Sequence, residues 1–563
     1  MTGVRAMRRS AVLLAVGLLA GCSVLPEPFR ADGAIPGVGD PAADGGALAD
    51  GAEAFATDLY AATDLPAAGC VRPTFDWRDA VMYFVMVDRF ADGDPKNNAP
   101  VGAQPALDFQ GGDLAGVLQK LKQGYFTDLG VNVLWLSGPF GTPSKAYVDK
   151  DGNSHVGYHG YWPAGLTEVD AHLGSMATLQ QVVSEAHGRG IRVVLDYVMN
   201  HVHEQSAVYN GHKEWFWPLT YNGKKCVCGK ACSYDHPVEG RRCWFEEFLP
   251  DFDFTNAAAR KFSVENALWW IKSACLDGLR LDAVKHIEMS WLTDLRARVN
   301  QELGGARFYL VGETYSGDRD LLKQYIDPKT RLDGQFDFPL RAQLVKVILR
   351  RGGSFKDLDT FLAGNETFYD PGTLMGTFIS NHDVPRAVHH AEDAPRFKNG
   401  EWESGRPCEY SQKLGEPDSD APYQRLAVGY TALLTLPGVP LIYYGAELGM
   451  AGCGDPDNRR FMVWDKSKIA GRQETLRGHI GKLTAIRGQH PALTRGKRET
   501  LTVTDDLYLY SMTAAGDQLL VVLNRSDSAQ TFTLPGASYT DLLTGQALSA
   551  PFKVPARGSL VLK

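Results

Sequence analysis

Four short apolar runs in this 563-residue chain stop abruptly at polar groups: VVLDYVMNH (Val193–His201), LRLDAVKH (Leu279–His286), FYLVGET (Phe308–Thr314) and TFISNHD (Thr377–Asp383). Asp196, Asp282, Glu313 and Asp383 contribute carboxyls, Arg280 a permanent cation, and His201 and His382 imidazoles. Such groups can donate a proton, take one back or attack carbon. Charged groups on apolar strands are costly unless paired or functional. Arg280 and Asp282 are two apart and share one strand face, with Leu279 and Leu281 on the other. A structural Arg–Asp pair would account for that run alone, but not for Glu313 and Asp383 at the ends of two others.

The elements that must hold these groups follow from the same runs. Apart from Arg192 at its start, Ile191–Leu195 is apolar on both faces, which suits a buried parallel strand. Strands are expected near 81–87, 131–136, 191–196, 278–282, 308–312, 333–337, 377–380 and 440–444. Helical runs such as Asn256–Lys272, Trp291–Leu303, Gln424–Leu436 and Thr475–Arg487 fall between or after them. Alternation of this kind predicts an α/β fold, a (β/α)8 TIM barrel with its chemistry at the C-terminal strand ends. The barrel is expected over 71–201 and 256–490. Between these halves, 202–255 is aromatic, Cys-rich and too long for a simple βα loop, so it reads as an inserted domain. From 491 to 563, LYLYSM, QLLVVLN and QTFTL alternate with period two, predicting a C-terminal antiparallel β-sandwich.

Composition sets the class. With 44% hydrophobic and 22% charged residues the chain reads as an ordinary globular protein, expected as a monomer on no compositional ground, and a net charge of −8 gives no electrostatic case for nucleic acid. Arg5, Arg8 and Arg9 precede an apolar stretch, Ala11–Ala20, too short to span a bilayer, so 1–21 reads as a signal peptide. It ends Leu19-Ala20-Gly21-Cys22, similar to a bacterial lipoprotein processing box, which makes Cys22 the expected lipidated residue. Residues 22–70, rich in Ala, Gly, Pro and Asp, suit a flexible tether. The expectation is an exported lipoprotein of the cell envelope, held to a membrane by its lipid, with Ser23 compatible with the outer membrane or cell surface. A plain secretory signal is the alternative.

Eight further cysteines, an even number in an exported chain, favour disulfides. Cys226, Cys228, Cys232 and Cys243 are expected to form two bridges in one of three connectivities, with a zinc site as the competing reading. Cys275, in an apolar stretch, is expected to be a buried free thiol.

In order and spacing the four runs resemble the signature regions of the α-amylase family, glycoside hydrolase family 13. MYFVMVDRFADGDPKNN (Met82–Asn98), GYHGYW (Gly157–Trp162), LPDFDF (Leu249–Phe254) and GDPDNR (Gly454–Arg459) extend the resemblance over roughly residues 75–490. The first and last are especially similar to cyclodextrin glucanotransferases. The resemblance implies a retaining endo-acting α-amylase that cuts α-1,4 bonds of starch, glycogen or maltodextrins by double displacement. Asp282 would be the nucleophile and Glu313 the acid and then base, with carboxyls about 5–5.5 Å apart. Asp383 would hold the sugar at the cleavage subsite, Arg280 would keep Asp282 ionised, and Asp196 would brace Arg280. The same resemblance places His201, His382, Tyr161, His159, Lys285, Asp455 and Arg459 along the substrate, Tyr161 as a stacking platform.

Calcium is implied at two oxygen-rich places. One combines Asn200, Asp251 and the carbonyl of His286 at the junction of barrel and insert. The other combines Asp92, Asp94, Asn97 and Asn98 with the Gly111 carbonyl and Asp113; an ordinary polar turn is the competing reading there. A transglycosylase is the rival activity, and a lipid-anchored glucan-binding protein without catalysis a third reading. Glucanotransferases carry an aromatic residue just before LPDFDF and further C-terminal domains. Ungapped comparison puts Glu247 at that aromatic position, with Phe248 adjacent, and no stretch resembles those domains, which favours hydrolysis.

Overall fold

Eight apolar segments form the parallel strands of a barrel: β1 (Met82–Val85), β2 (Val133–Leu136), β3 (Arg192–Tyr197), β4 (Gly278–Leu281), β5 (Tyr309–Gly312), β6 (Gly334–Gln335), β7 (Gly376–Phe378) and β8 (Val439–Tyr443). Neighbours run β6-β5-β4-β3-β2-β1-β8-β7, and one parallel bridge, Phe336 to Gly376, joins the two edges. Every strand residue is buried, as strands covered on both faces must be. The seam at β6 is short and tight: a Cβ at Gly334 would sit 1.9 Å from the Leu374 carbonyl, so only glycine lets the chains approach there.

This computed structural model describes residues 70–303, 308–392 and 414–563, which lie within one body. The signal peptide, the tether up to residue 69 with Cys22, and Cys408 fall outside the described residues. The predicted helical runs correspond to α1 (Ala257–Ala274), α2 (Met289–Glu302), α3 (Ala421–Thr435) and α4 (Gly471–Gln489). Asn256 caps α1 by accepting the Ala258 and Ala259 N–H groups, as an Asn before an apolar run should. No helix among the described residues is long and apolar enough to cross a membrane.

Cys275 corrects an expectation. It ends α1 in the left-handed conformation (φ 58°), and this turn carries it to Cys70, with which it forms a disulfide (Cα–Cα 5.7 Å). Its apolar neighbours suggested a free thiol because its partner lies 205 residues away in sequence. Within the insert the bridges are Cys226–Cys232 and Cys228–Cys243, so these sulfurs staple the chain rather than hold a metal. Cys453 is also disulfide-bonded.

The insert after β3 has little regular structure beyond the stapled segment and a hairpin, Thr220–Tyr221 with Lys224–Lys225. A second excursion, residues 137–175 after β2, folds two small antiparallel pairs of its own, including Tyr147–Val148 with Ser154–His155. Its length lay hidden in the sequence because its strands are only two to five residues long.

At the C-terminus six antiparallel strands form a sheet over a smaller pair, Gln530–Phe532 with Phe552–Val554. Alternation decides its two faces. Leu507, Leu509, Leu520 and Val522 pack against Phe532 and Phe552 in a separate small core. Tyr508, Tyr510, Val521 and Leu523 join the barrel's core instead. The Tyr510 hydroxyl lies 2.6 Å from Thr435 Oγ1 on α3, which welds sheet to barrel.

Candidate active site

Register places the first charged pair. Arg280 on β4 stands opposite Asp196 on β3, and both point into the barrel because each shares its strand's inward face. Asp282 and Glu313 come directly after the last residues of β4 and β5, Leu281 and Gly312, which are themselves register partners. The two carboxyls therefore emerge side by side at one strand end.

Arg280 links all three carboxylates. Its Nη1 donates to Asp196 Oδ1 at 2.8 Å and Asp282 Oδ1 at 2.6 Å, and its Nη2 lies 2.8 Å from Glu313 Oε2. A planar guanidinium can serve several carboxylates at once where an ammonium could not. Burial opposes ionisation of Arg280, but the facing carboxylates outweigh it and hold the guanidinium charged. Beneath it lies an aromatic floor: Phe84 of β1 stacks on Trp135 of β2 at 3.9 Å, Trp135 on Phe336 at 5.1 Å, and Phe84 on Tyr443 of β8 at 5.6 Å.

Asp383 approaches from the loop after β7. Its carboxylate lies 3.4 Å from Arg459 Nη2, and Arg459 also holds Asp455 at 3.0 Å and the His382 carbonyl at 3.0 Å. Burial pushes the Glu313 carboxyl well above the usual range; Arg280 opposes this, while Asp383 and Asp282 add to it. Burial also raises Asp383, against the pull of Arg459. A protonated Glu313 hydrogen-bonded to an ionised Asp383 satisfies both groups. Asp196 is raised to about 6 by burial, opposed by Arg280.

The remaining expected residues divide into those that face the cleft and those behind it. Tyr161, His201, His382 and Asp455 line a cavity of about 550 Å³ together with Asp282, Glu313 and Asp383. The Tyr161 hydroxyl donates to Asp196 at 2.8 Å and meets His382 Nε2 at 2.5 Å, while His201 Nε2 donates to the Tyr161 carbonyl at 2.9 Å. Burial lowers the pKa of both histidines, so each is neutral. His159, expected on the cleft, lies behind it: its ring stacks on Tyr161 at 5.3 Å and its Nδ1 accepts the Tyr161 N–H. Arg459, also expected to touch substrate, is buried and spends its donors on Asp383, Asp455 and His382. Lys285 is turned to Asp235 at 2.6 Å and the Tyr315 carbonyl at 3.3 Å.

Of the residues expected at calcium, Asn200 meets Asp251, Asn98 meets Asp92, and Asp113 meets the Asp94–Asn97 loop. Asn200 Nδ2 donates to Asp251 Oδ2 at 2.6 Å, leaving Asn200 Oδ1 and Asp251 Oδ1 buried without a protein partner. Buried oxygens of this kind fit a hard cation. His286 donates its Nδ1 to the Gly240 carbonyl at 2.6 Å. Glu288, two residues on, was not foreseen; its Oε2 is also buried without a partner, and burial raises it to about 7. In the other place, Asp113 accepts from the Gly93 and Asp94 N–H groups, Asn97 Nδ2 and Gly116 N–H, and Asn98 Nδ2 donates to Asp92. Asn97 Oδ1 and Asn98 Oδ1 remain without a partner, and Gly111 presses against Asn98 so closely that a Cβ would sit 2.7 Å from its amide carbon.

A profile of the α-amylase catalytic domain matches residues 84–402, more than half of the chain. The chain belongs to the α-amylase family. A profile described as the β-galactosidase C-terminal domain matches residues 512–563. A β/α-amylase of Paenibacillus polymyxa is 30% identical over 492 residues, 84% of this family member and 36% of that protein. A cyclomaltodextrin glucanotransferase of Geobacillus stearothermophilus is 28% identical over 506 residues, covering 85% and 65% respectively. The chain thus spans from about a third to two thirds of these curated relatives. The crystal structure of an Anoxybacillus α-amylase superimposes with a TM-score of 0.71 at 28% identity, covering 87% of this chain and 99% of that one.

Several cleft-lining residues of this α-amylase-family site were not foreseen: Lys150, Tyr234, Phe245, Glu246 and Tyr315. All belong to irregular segments, where no periodicity marks a side chain as inward. The segment before LPDFDF also resolves an expectation. Glu247 turns outward to Lys225, Phe248 is buried on Trp162 at 4.8 Å, and the aromatic that reaches the cleft is Phe245.

Proposed function

We propose that this protein is a retaining endo-acting α-amylase, hydrolysing α-1,4 bonds of starch, glycogen or maltodextrins. One observation carries the reading: a single buried guanidinium holds Asp282 and Glu313 on adjacent nitrogens at the mouth of a cleft, while burial keeps Glu313 protonated. That placement suits the short carboxyl spacing, about 5–5.5 Å, of retaining enzymes rather than the about 6.5–9.5 Å that leaves room for water.

Glu313 donates its proton to the glucosidic oxygen as Asp282 attacks the anomeric carbon. The C–O bond to the leaving sugar breaks and a glycosyl ester forms on Asp282. Glu313, now a carboxylate, takes a proton from water, whose oxygen attacks the same carbon and frees Asp282. Asp383, oriented by Arg459, binds sugar hydroxyls and favours the distorted ring. Neutral His201 and His382 hold Tyr161 in place at the cleft without adding charge. Tyr161 offers its ring to the apolar face of the sugar.

Calcium would be held by Asn200, Asp251 and His286, with Asp92, Asp94, Asn97, Asn98, Gly111 and Asp113 as a second place. The ion would supply positive charge to oxygens that burial has left unpaired, tying the insert to the barrel. Attachment to a membrane through lipid on Cys22 belongs to the same proposal; release of the protein by a Cys22→Ser change would support it.

The second reading, transglycosylation, is favoured by Phe245 in the cleft and by similarity to a protein named a cyclomaltodextrin glucanotransferase. Chromatography of products from soluble starch tests both. Linear maltooligosaccharides are expected, and mainly cyclic products would sink the hydrolase reading. Glu313→Gln is expected to remove reducing-sugar release; unchanged release would overturn the assignment of the acid.

A further inference from the structure

Two loops meet over the cleft, and one side chain ties them. Lys150 sits in the turn between Tyr147–Val148 and Ser154–His155. The Asp149 carboxylate fixes that turn by accepting the Asp151 and Asn153 N–H groups at 2.9 and 2.8 Å, and Gly152 supplies its positive φ. From there Lys150 Nζ reaches the stapled insert. It donates to Tyr234 Oη at 2.5 Å, the Phe245 carbonyl at 3.1 Å and the Cys228 carbonyl at 3.2 Å. Its backbone N–H donates to Glu246 Oε2 at 2.7 Å, and Nζ lies 3.8 Å from the other carboxyl oxygen.

The receiving side is equally fixed. The bridges Cys226–Cys232 and Cys228–Cys243 close the segment, and Cys228 N–H pairs with the Trp244 carbonyl at 2.9 Å. Gly229 makes room for Tyr234, since a Cβ there would sit 2.6 Å from its ring. Lys150, Tyr234, Phe245 and Glu246 line the same cavity as Asp282 and Glu313. An ammonium fills all three of its donor positions here, so the contact is directional rather than a loose surface ion pair.

We propose that Lys150 is a specificity-determining residue: it clamps the excursion after β2 to the stapled insert and so holds Tyr234, Phe245 and Glu246 as a roof over glucose units beyond the cleavage point. This rests on the α-glucan reading above. Short substrates end before the roof, and longer chains lie under it, so the clamp discriminates by chain length. Losing the donors to Tyr234, Phe245 and Cys228 removes binding that only the longer chain enjoys, which raises KM more than it lowers kcat.

The test compares maltoheptaose with an aryl α-maltoside on the full chain, for the parent, Lys150→Met and Tyr234→Phe. Lys150→Met is expected to reduce kcat/KM for maltoheptaose about tenfold more than for the aryl maltoside, chiefly through KM. Tyr234→Phe, which deletes one receiving oxygen and no charge, is expected to shift the ratio the same way by about threefold. Equal effects of either folded variant on both substrates would overturn the proposal, and Tyr234→Phe decides alone if Lys150→Met does not fold. Binding of maltoheptaose and maltose to Glu313→Gln, with and without Lys150→Met, gives the same ratio without turnover. Cyclic products from the parent would remove the hydrolase reading yet leave this ratio readable.

Discussion

Replacing Arg280 with lysine separates charge from geometry at the centre of the site. The guanidinium reaches Asp196, Asp282 and Glu313 at 2.6–2.8 Å through two terminal nitrogens. A single ammonium on a shorter, differently aimed stem keeps the charge but cannot meet three carboxylates in those directions. Loss of two charge-assisted contacts, at about 1.5–3 kcal/mol each, amounts to about 3–5 kcal/mol once partial re-solvation at the cleft mouth is allowed. At about 1.4 kcal/mol per decade this is roughly 10²- to 10⁴-fold in kcat/KM. Arg280→Met removes the charge as well, and Asp196 and Asp383, both pulled down by Arg280, then titrate at higher pH. The acid limb of the pH–rate profile is therefore expected to move upward in the methionine variant and to stay nearly in place in the lysine variant. Initial rates on maltoheptaose across pH 4–9 give both quantities, with circular dichroism confirming the fold. A lysine variant that folds and loses less than about threefold would refute the claim that Arg280 acts by aligning its carboxylates.

Further outcomes follow from the same geometry. Asp383→Asn removes a charge that raises Glu313, so the alkaline limb, where Glu313 loses its proton, should shift to lower pH in the residual activity. Chelation of calcium should lower the thermal midpoint, and Asp251→Asn should blunt that response, read by scanning fluorimetry with and without chelator. Trp135→Ala, which empties the centre of the barrel floor, should cost about 3–5 kcal/mol of stability and appear as a lower unfolding midpoint.

The barrel was legible because strands buried on both faces must be apolar, and functional groups at their ends break that rule visibly. Asp196, Arg280, Asp282, Glu313 and Asp383 all announced themselves as charge after an apolar run. The alternating C-terminal strands were readable for the same reason, since each of their faces has its own core. Legibility failed where position depends on partners far along the chain. Cys275 reads as apolar filler until α1 turns it toward Cys70. His159 and Arg459 have the residue types of sugar contacts, yet packing spends them on Tyr161, Asp383 and His382. Lys150 and Tyr234 lie in irregular segments, and only the meeting of two excursions gives them a direction.

The stacked rings of Phe84, Trp135, Phe336 and Tyr443 make the reaction chamber one-ended. With that floor packed, any molecule competing for the glycosyl ester of the proposed mechanism arrives through the mouth, past the departing sugar. Whether water or a second glucan collects the intermediate then becomes a contest of residence times at that single entrance. Loops, not carboxylates, are where such a contest is won, and a change of outcome could evolve without touching the chemistry below.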